Sequence, residues 1–173
     1  ADYKVYVTFL LISCIVSIFY ERNRKGEQMK MDEIDMKLYN GDCLEIMKNI
    51  ADKSVDMILC DLPYGTTANV WDSIIPLDKL WEQYERIIKD NGAIVLMASG
   101  QFTHKLIESN IKLYKYKWIW VKNKKSNFVN AKNRPMTNFE EVLVFSKGNT
   151  ANCSNNKMIY NPQGLIKTNI VHK

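Results

Sequence analysis

Two short apolar runs with an amphipathic helix between them constrain the fold of this chain more than any other feature. Val55–Cys60 reads VDMILC and Ala93–Ala98 reads AIVLMA. Asp56 apart, both are continuous apolar segments of strand length, the pattern of strands buried on both faces as parallel strands are. Between them Leu77, Leu80, Trp81, Tyr84, Ile87 and Ile88 recur at helical spacing. That predicts an amphipathic helix over Leu77–Lys89, and Asn91-Gly92 has the composition of its C-terminal cap. Strand, helix, strand in this order predicts an α/β fold with a parallel sheet.

Other segments extend the pattern. Met36–Tyr39 is a short strand candidate, followed by an Asn40-Gly41 turn. Asp42 is placed to cap a helix running to about Asn49. Phe102–Asn110 reads as a helix, Tyr114–Val121 (YKYKWIWV) as a strand with one open face, and Val142–Phe145 as a last strand. There are no internal repeats.

Composition bounds the function classes. With 173 residues, 46% hydrophobic and 25% charged, the chain is one globular domain or a piece of a larger one. Cys14, Cys43, Cys60 and Cys153 are far apart and form no C-x-x-C pair. A disulfide framework and a zinc ribbon are therefore not expected, and a reducing, cytoplasmic setting fits. His104 and His172 are the only histidines, so no metal site is expected. A net charge of +5 permits a polyanionic partner without requiring one.

The N-terminal segment stands apart. Val5–Tyr20 carries no charge and is followed by Glu21, Arg22, Asn23, Arg24 and Lys25. A membrane span needs about 20 apolar residues, so the run is marginal as an anchor. The reading preferred here is a leader: Lys25-Gly26-Glu27 can be encoded by a purine-rich stretch resembling a bacterial ribosome-binding site, just upstream of Met29. Residues 1–28 are accordingly expected to lie outside the native fold, with 29–173 forming the domain and no stable membrane association.

The residues that carry chemistry are Asp61-Leu62-Pro63-Tyr64-Gly65, directly after the first apolar strand. Open α/β sheets place their sites at the carboxyl ends of strands. Asp61 can accept a hydrogen from an amine. The Leu62 carbonyl is a second acceptor, restrained by Pro63, and Tyr64 offers a flat ring with a polar tip. From the residues alone, a strand-end Asp capping a turn beside a core Tyr is an equal reading. Thr66 and Thr67 extend the loop, either to bind phosphate or to cap the turn. Cys60 reads as an inert buried thiol, and Trp71 and Trp81 as packing residues.

From Ser109 to Phe139 there are eight basic residues and no acidic ones, with Tyr114, Tyr116, Trp118, Trp120 and Phe128 interleaved. Such a stretch can contact phosphates and stack on bases. The competing reading is a solvated basic strand with Trp118 and Trp120 in the core. Asn123–Asn138 reads as a long polar loop.

The motif resembles the Asp-Pro-Pro-Tyr motif of amino-methylating DNA methyltransferases. Tyr39–Leu44 (YNGDCL), Ser54-Val55-Asp56, Asn91–Ser99, Trp118–Asn130 and Asn138–Lys147 resemble the same family in its β-class order, with the catalytic motif early. The likeness covers about Met36 to Gly164. Leu62 replaces the usual Pro, but the role described there uses the backbone carbonyl, which Leu keeps. The family's Phe-x-Gly-x-Gly cofactor loop is not among these residues: no two of the seven glycines are close neighbours. The resemblance thus implies a partial Rossmann-like, mixed and mainly parallel sheet, truncated before that loop.

The activity it implies is methyl transfer from S-adenosyl-L-methionine to the exocyclic nitrogen of a base flipped out of double-stranded DNA. Asp61, Leu62, Pro63 and Tyr64 would form the catalytic motif. Asp42, Asp61 and Gly65 would lie by the cofactor, although a helix N-cap is the stronger reading of Asp42. Lys122, Lys124, Lys125, Asn127, Lys132 and Arg134 would meet DNA. An acidic first motif position favours adenine. A restriction endonuclease of the same system would be a further partner. The alternatives are a non-catalytic DNA-binding remnant, a membrane-tethered protein, or a methyltransferase acting on cytosine, RNA or a protein amide.

Overall fold

The computed structural model describes residues 3–11 and 14–22 as backbone strands, and 39–67 and 72–161 with their side chains. Six strands form one mixed sheet: β1 (Tyr3–Leu11), β2 (Cys14–Arg22), β3 (Val55–Asp61), β4 (Ile88–Ala98), β5 (Tyr114–Ser126) and β6 (Thr137–Phe145), in the order β2-β1-β3-β4-β6-β5. The helices are α1 (Cys43–Met47), α2 (Leu77–Ile87) and α3 (Gln101–Ser109).

The two strands expected on either side of α2 run parallel, with Ile58 opposite Ile94 and Asp61 opposite Met97. A right-handed crossover through one helix is the usual way to join such a pair. β6 then returns antiparallel to β4, and β5 pairs antiparallel with β6 as a long hairpin. β1 and β2 fall within residues 1–28, which the sequence reading set outside the fold. Here β1 lies parallel to β3, with Val5 opposite Met57 and Phe9 opposite Asp61. The backbone groups on that side of β3 are therefore paired rather than left as an open edge.

The core lies on one face of the sheet. Ile58 and Cys60 of β3, Ile94, Leu96 and Ala98 of β4, and Leu143 and Phe145 of β6 are buried there. They pack with Leu80, Trp81, Tyr84 and Ile87 of α2 and with Phe102 and Leu106 of α3. Trp81 sits 4.9 Å from Phe145, ring centre to ring centre, and donates its indole N–H to Ser109 Oγ at 2.8 Å, tying α2 to α3. Arg86 joins α2 to the end of α1. Its guanidinium donates to the Met47 carbonyl at 2.6 Å and the Ile50 carbonyl at 2.7 Å. These are carbonyls at a helix C-terminus, where a cation is favoured.

Several boundaries depart from the sequence reading. α2 ends at Ile87, and Asn91 and Gly92 lie inside β4 instead of capping the helix. The reason is packing: a Cβ on Gly92 would sit 2.7 Å from the Asp56 carbonyl, so only glycine lets β4 pass β3 this closely. β3 is not equally buried on its two faces, since Met57 and Leu59 are only half-buried. Asp56 within it is buried and bonded to Lys89 at 2.8 Å. β5 and β6 are each longer than predicted and pair out to Ser126–Thr137, so the polar loop shrinks to the residues between them. In the Met36–Tyr39 strand candidate, residues 36–38 lie outside the described residues; Tyr39 itself is not in a strand.

Candidate functional site

Asp61 is the last residue of β3 and is exposed, while the Leu62 and Pro63 that follow are buried. The chain thus leaves the sheet with its carboxylate outward and its next two side chains anchored. Among the described residues no donor is bonded to the Leu62 carbonyl. The Tyr64 hydroxyl lies close enough to the Asp61 carboxyl to favour its charged form. Partial burial pushes that carboxyl above its ordinary range. The Tyr64 hydroxyl lowers it, the Glu140 charge raises it and the Lys122 charge lowers it, burial remaining dominant. Burial and the neighbouring Asp61 also raise the Tyr64 phenol, which therefore keeps its proton.

Tyr64 is not free on both faces. Phe102, from the first turn of α3, stacks on its ring with centroids 5.0 Å apart and planes 22° apart. A planar ligand could therefore stack only on the opposite face. Phe102 carries no polar group, so sequence gave no signal for this backing role.

The loop after the motif is held by a residue that the sequence reading missed. Asp72 is buried and accepts three consecutive backbone N–H groups: Gly65 at 2.9 Å, Thr66 at 2.8 Å and Thr67 at 2.6 Å. Burial disfavours its charge, but the bonds from Thr67, Gly65 and Thr66 outweigh burial and lower its pKa to about 2. Gly65 adopts φ +67°, and an added Cβ would lie 2.8 Å from Ile74 Cγ1. The backbone N–H groups of Thr66 and Thr67 close the turn. It is organised by an internal carboxylate, and the N–H of Gly65 is spent on it. Asp42 likewise serves as the N-cap of α1, accepting from the Leu44 N–H at 2.8 Å.

The basic strand contributes to the same end of the sheet. Asp61, Met97, Val142 and Trp118 lie in one register row across β3, β4, β6 and β5. Residues directly opposite one another project to the same face. Two positions along β6, Glu140 faces Trp120 and binds Lys122, whose ammonium lies 5.3 Å from the Trp120 ring centre. Lys122 is thus engaged in an ion pair with Glu140. Glu140 was given no role from sequence. Trp118 and Trp120 are each 52% exposed, so they are not core residues. Lys124 and Lys125 are exposed on β5; Lys132 and Arg134 are exposed on the turn beyond it. Asn127 takes the left-handed conformation, φ 67°, at the start of a 3-10 turn, Phe128–Asn130.

On the helical side, burial pushes the Cys60 thiol up to about 12, in keeping with an inert structural cysteine. Trp81 packs as expected; Trp71 lies outside the described residues. Among the described residues no three His, Cys, Asp or Glu side chains converge as metal ligands. No helix among them is long and apolar enough to cross a membrane.

No protein-family model matches the chain. A curated relative, the type II methyltransferase M.BamHI of Bacillus amyloliquefaciens, is 31% identical over 49% of this chain and 23% of its own length. Among solved structures, the PvuII DNA methyltransferase (cytosine-N4-specific) superposes with a TM-score of 0.50 at 16% identity, covering 63% of this chain and 48% of that one. The M1.HpyAVI–SAM complex gives 0.46 at 22% identity, over 69% and 63%. The chain therefore spans under a quarter of the curated relative and about half of the first of these solved chains. The PvuII likeness shows the fold, the mixed α/β sheet of a methyltransferase.

Proposed function

We propose that this chain is the catalytic-motif portion of a DNA methyltransferase that acts on an exocyclic amino group, with adenine as the target base. The observation that carries the reading is the strand-end platform: an exposed Asp61 carboxylate, with Tyr64 near it, beside a Leu62 carbonyl that accepts no hydrogen bond among the described residues. The relationship to M.BamHI and the shared fold with the PvuII enzyme support it.

S-adenosyl-L-methionine would supply an electrophilic methyl group on its sulfonium. The described residues fit only part of its site. Asp61 and Asp42 are exposed, and the second Asp42 oxygen has no bond among the described residues, but the Gly65 N–H is taken and no Phe-x-Gly-x-Gly loop is among the 173 residues. What this chain supplies is the acceptor side. An exocyclic base amine is a poor nucleophile because its lone pair is delocalised into the ring. Asp61 and the Leu62 carbonyl would each hold one amine hydrogen and draw the nitrogen toward tetrahedral geometry, a matter of positioning and electrostatics. The open face of Tyr64 would stack on the flipped base. Lys124, Lys125, Lys132 and Arg134 would meet DNA phosphates.

The test is transfer of labelled methyl to duplex DNA by the complete enzyme that carries this chain, wild type and Asp61→Ala, on substrates whose only target is adenine or only cytosine. Transfer to adenine, lost in Asp61→Ala while the fold is kept, supports the reading. Undiminished transfer by Asp61→Ala refutes the role given to that carboxylate. Transfer to cytosine alone would move the target to the one named for the PvuII enzyme. A second reading, binding to DNA without catalysis, is favoured by the exposed basic and aromatic residues of β5; duplex binding with no binding of S-adenosylmethionine would establish it.

A further inference from the structure

A cavity of about 390 Å³ opens on the sheet face that carries Asp61, between β5 and the segment 149–160. Its size falls in the range of small-molecule sites. Tyr116 and Trp118, alternate residues on one face of β5, form one wall. Asn149, Asn152, Lys157 and Tyr160 form the other.

The second wall is built, not loosely draped. The Asn149 N–H donates to the Asn156 carbonyl at 2.7 Å, and Met158 N–H donates back to the Asn149 carbonyl at 2.9 Å. Asn149 Nδ2 donates to Ser154 Oγ at 2.9 Å. The segment is stitched to the start of β4 by Ile159 N–H on the Asn91 carbonyl at 3.0 Å and Asn156 Nδ2 on the Asp90 carbonyl at 3.2 Å. Among the described residues, the side chains of Asn152 and Lys157 have no bonding partner.

The chemistry of the lining selects a ligand class. Three aromatic rings favour a planar group. The side-chain carbonyl of Asn149 and the whole amide of Asn152 offer acceptors and donors to a heterocycle edge. Lys157 supplies a cation, and no acidic residue is among the lining residues. That absence disfavours a cationic ligand, and the three rings with one ammonium disfavour a plain hydrocarbon. We propose that this cavity is a subsite for one unstacked nucleotide, its base stacked on Trp118 with Tyr116, tilted 46° to it, and Tyr160 alongside, and its phosphate on Lys157.

Its position suits a nucleic-acid strand. Trp118 shares the register row of Asp61, three inter-strand steps away, or roughly 14 Å. The subsite would hold a nucleotide displaced from the stack near the one presented to Asp61. Only this assignment of the source rests on the proposed function; binding of a nucleotide does not.

The test is ligand-observed NMR titration of the whole chain with 2′-deoxyadenosine, 2′-deoxyadenosine 5′-monophosphate and a short single-stranded oligodeoxyadenylate. Trp118→Ala should weaken all three about tenfold, the scale of one stacked base. Lys157→Ala should weaken the monophosphate and the oligonucleotide about fivefold and leave the nucleoside unchanged. Both side chains are exposed, so the fold should survive. Tighter binding of the oligonucleotide than of the monophosphate would mark a strand as the source, and equal affinity a free nucleotide. No saturable binding of the monophosphate overturns the proposal. So does binding that persists in Trp118→Ala and Lys157→Ala but is lost in Asp61→Asn, a result that would leave the proposed function standing.

Discussion

Replacing Gly65 with Ala perturbs the platform at the point where backbone and packing both demand glycine. At φ +67° an L-residue meets a steric cost of about 1–2 kcal/mol. The new methyl would also stand 2.8 Å from Ile74 Cγ1 and 3.0 Å from its Cδ1, crowding of a kind that costs about 1–3 kcal/mol. Alanine offsets about 0.4–1 kcal/mol of this by restricting the unfolded chain. The net expectation is a loss of about 3 kcal/mol, read from the free energy of urea unfolding at neutral pH. In Gly65→Ala/Ile74→Ala the crowding disappears, so the two substitutions should couple favourably by about 1–3 kcal/mol. The loop should also loosen locally, with faster hydrogen exchange at the Thr66 and Thr67 amides that Asp72 now protects. A cost below about 0.5 kcal/mol, with those amides still protected, would refute the reasoning.

Three further outcomes follow from other contacts. The Asp72 pKa, lowered to about 2, lies below the ordinary aspartate value of about 3.9 in an unfolded chain. Its contribution to stability is therefore complete above that value and lost as pH falls toward 2. Thermal midpoints between pH 5 and 2 should fall more steeply for the wild type than for Asp72→Asn, and parallel curves would contradict this. Lys122→Met should raise the Asp61 pKa and Glu140→Gln should lower it, as followed by carbon-13 NMR of the carboxyl; shifts of the same sign would show that neither charge reaches Asp61. Arg86→Met should cost about 2–4 kcal/mol by freeing the Met47 and Ile50 carbonyls, with Arg86→Lys recovering less than half. A calorimetric loss under about 0.5 kcal/mol would sink that assignment.

What was legible in the sequence was local. Val55–Cys60 and Ala93–Ala98 are strands because continuous apolar runs between turn residues have few other solutions, and the stripe of Leu80, Trp81, Tyr84 and Ile87 had to face them. The motif's place at a strand end followed from that order, and the Asp42 cap from its position before Leu44. What was not legible depends on distance in sequence. Asp72 is unremarkable until the chain folds it under three amide groups. Phe102 lies 38 positions from Tyr64, and its stacking leaves no trace in either segment. Gly92 looked like a helix cap because glycine ends helices often; its actual reason, the Asp56 carbonyl 2.7 Å away, is tertiary. The β5–β6 hairpin ran past its predicted ends because pairing partners rescued polar residues from the loop.

The carboxylate beneath the motif loop has a consequence for timing. A row of free amide groups would stay pliable until an outside anion ordered it, and binding would then bear that ordering cost. Here Asp72 is covalently part of the chain, so the same row is already closed when the protein finishes folding. A ligand reaching Asp61 and Tyr64 meets a finished surface. Its association should follow a single phase whose rate is set by encounter, with no slower step in which the loop assembles around it.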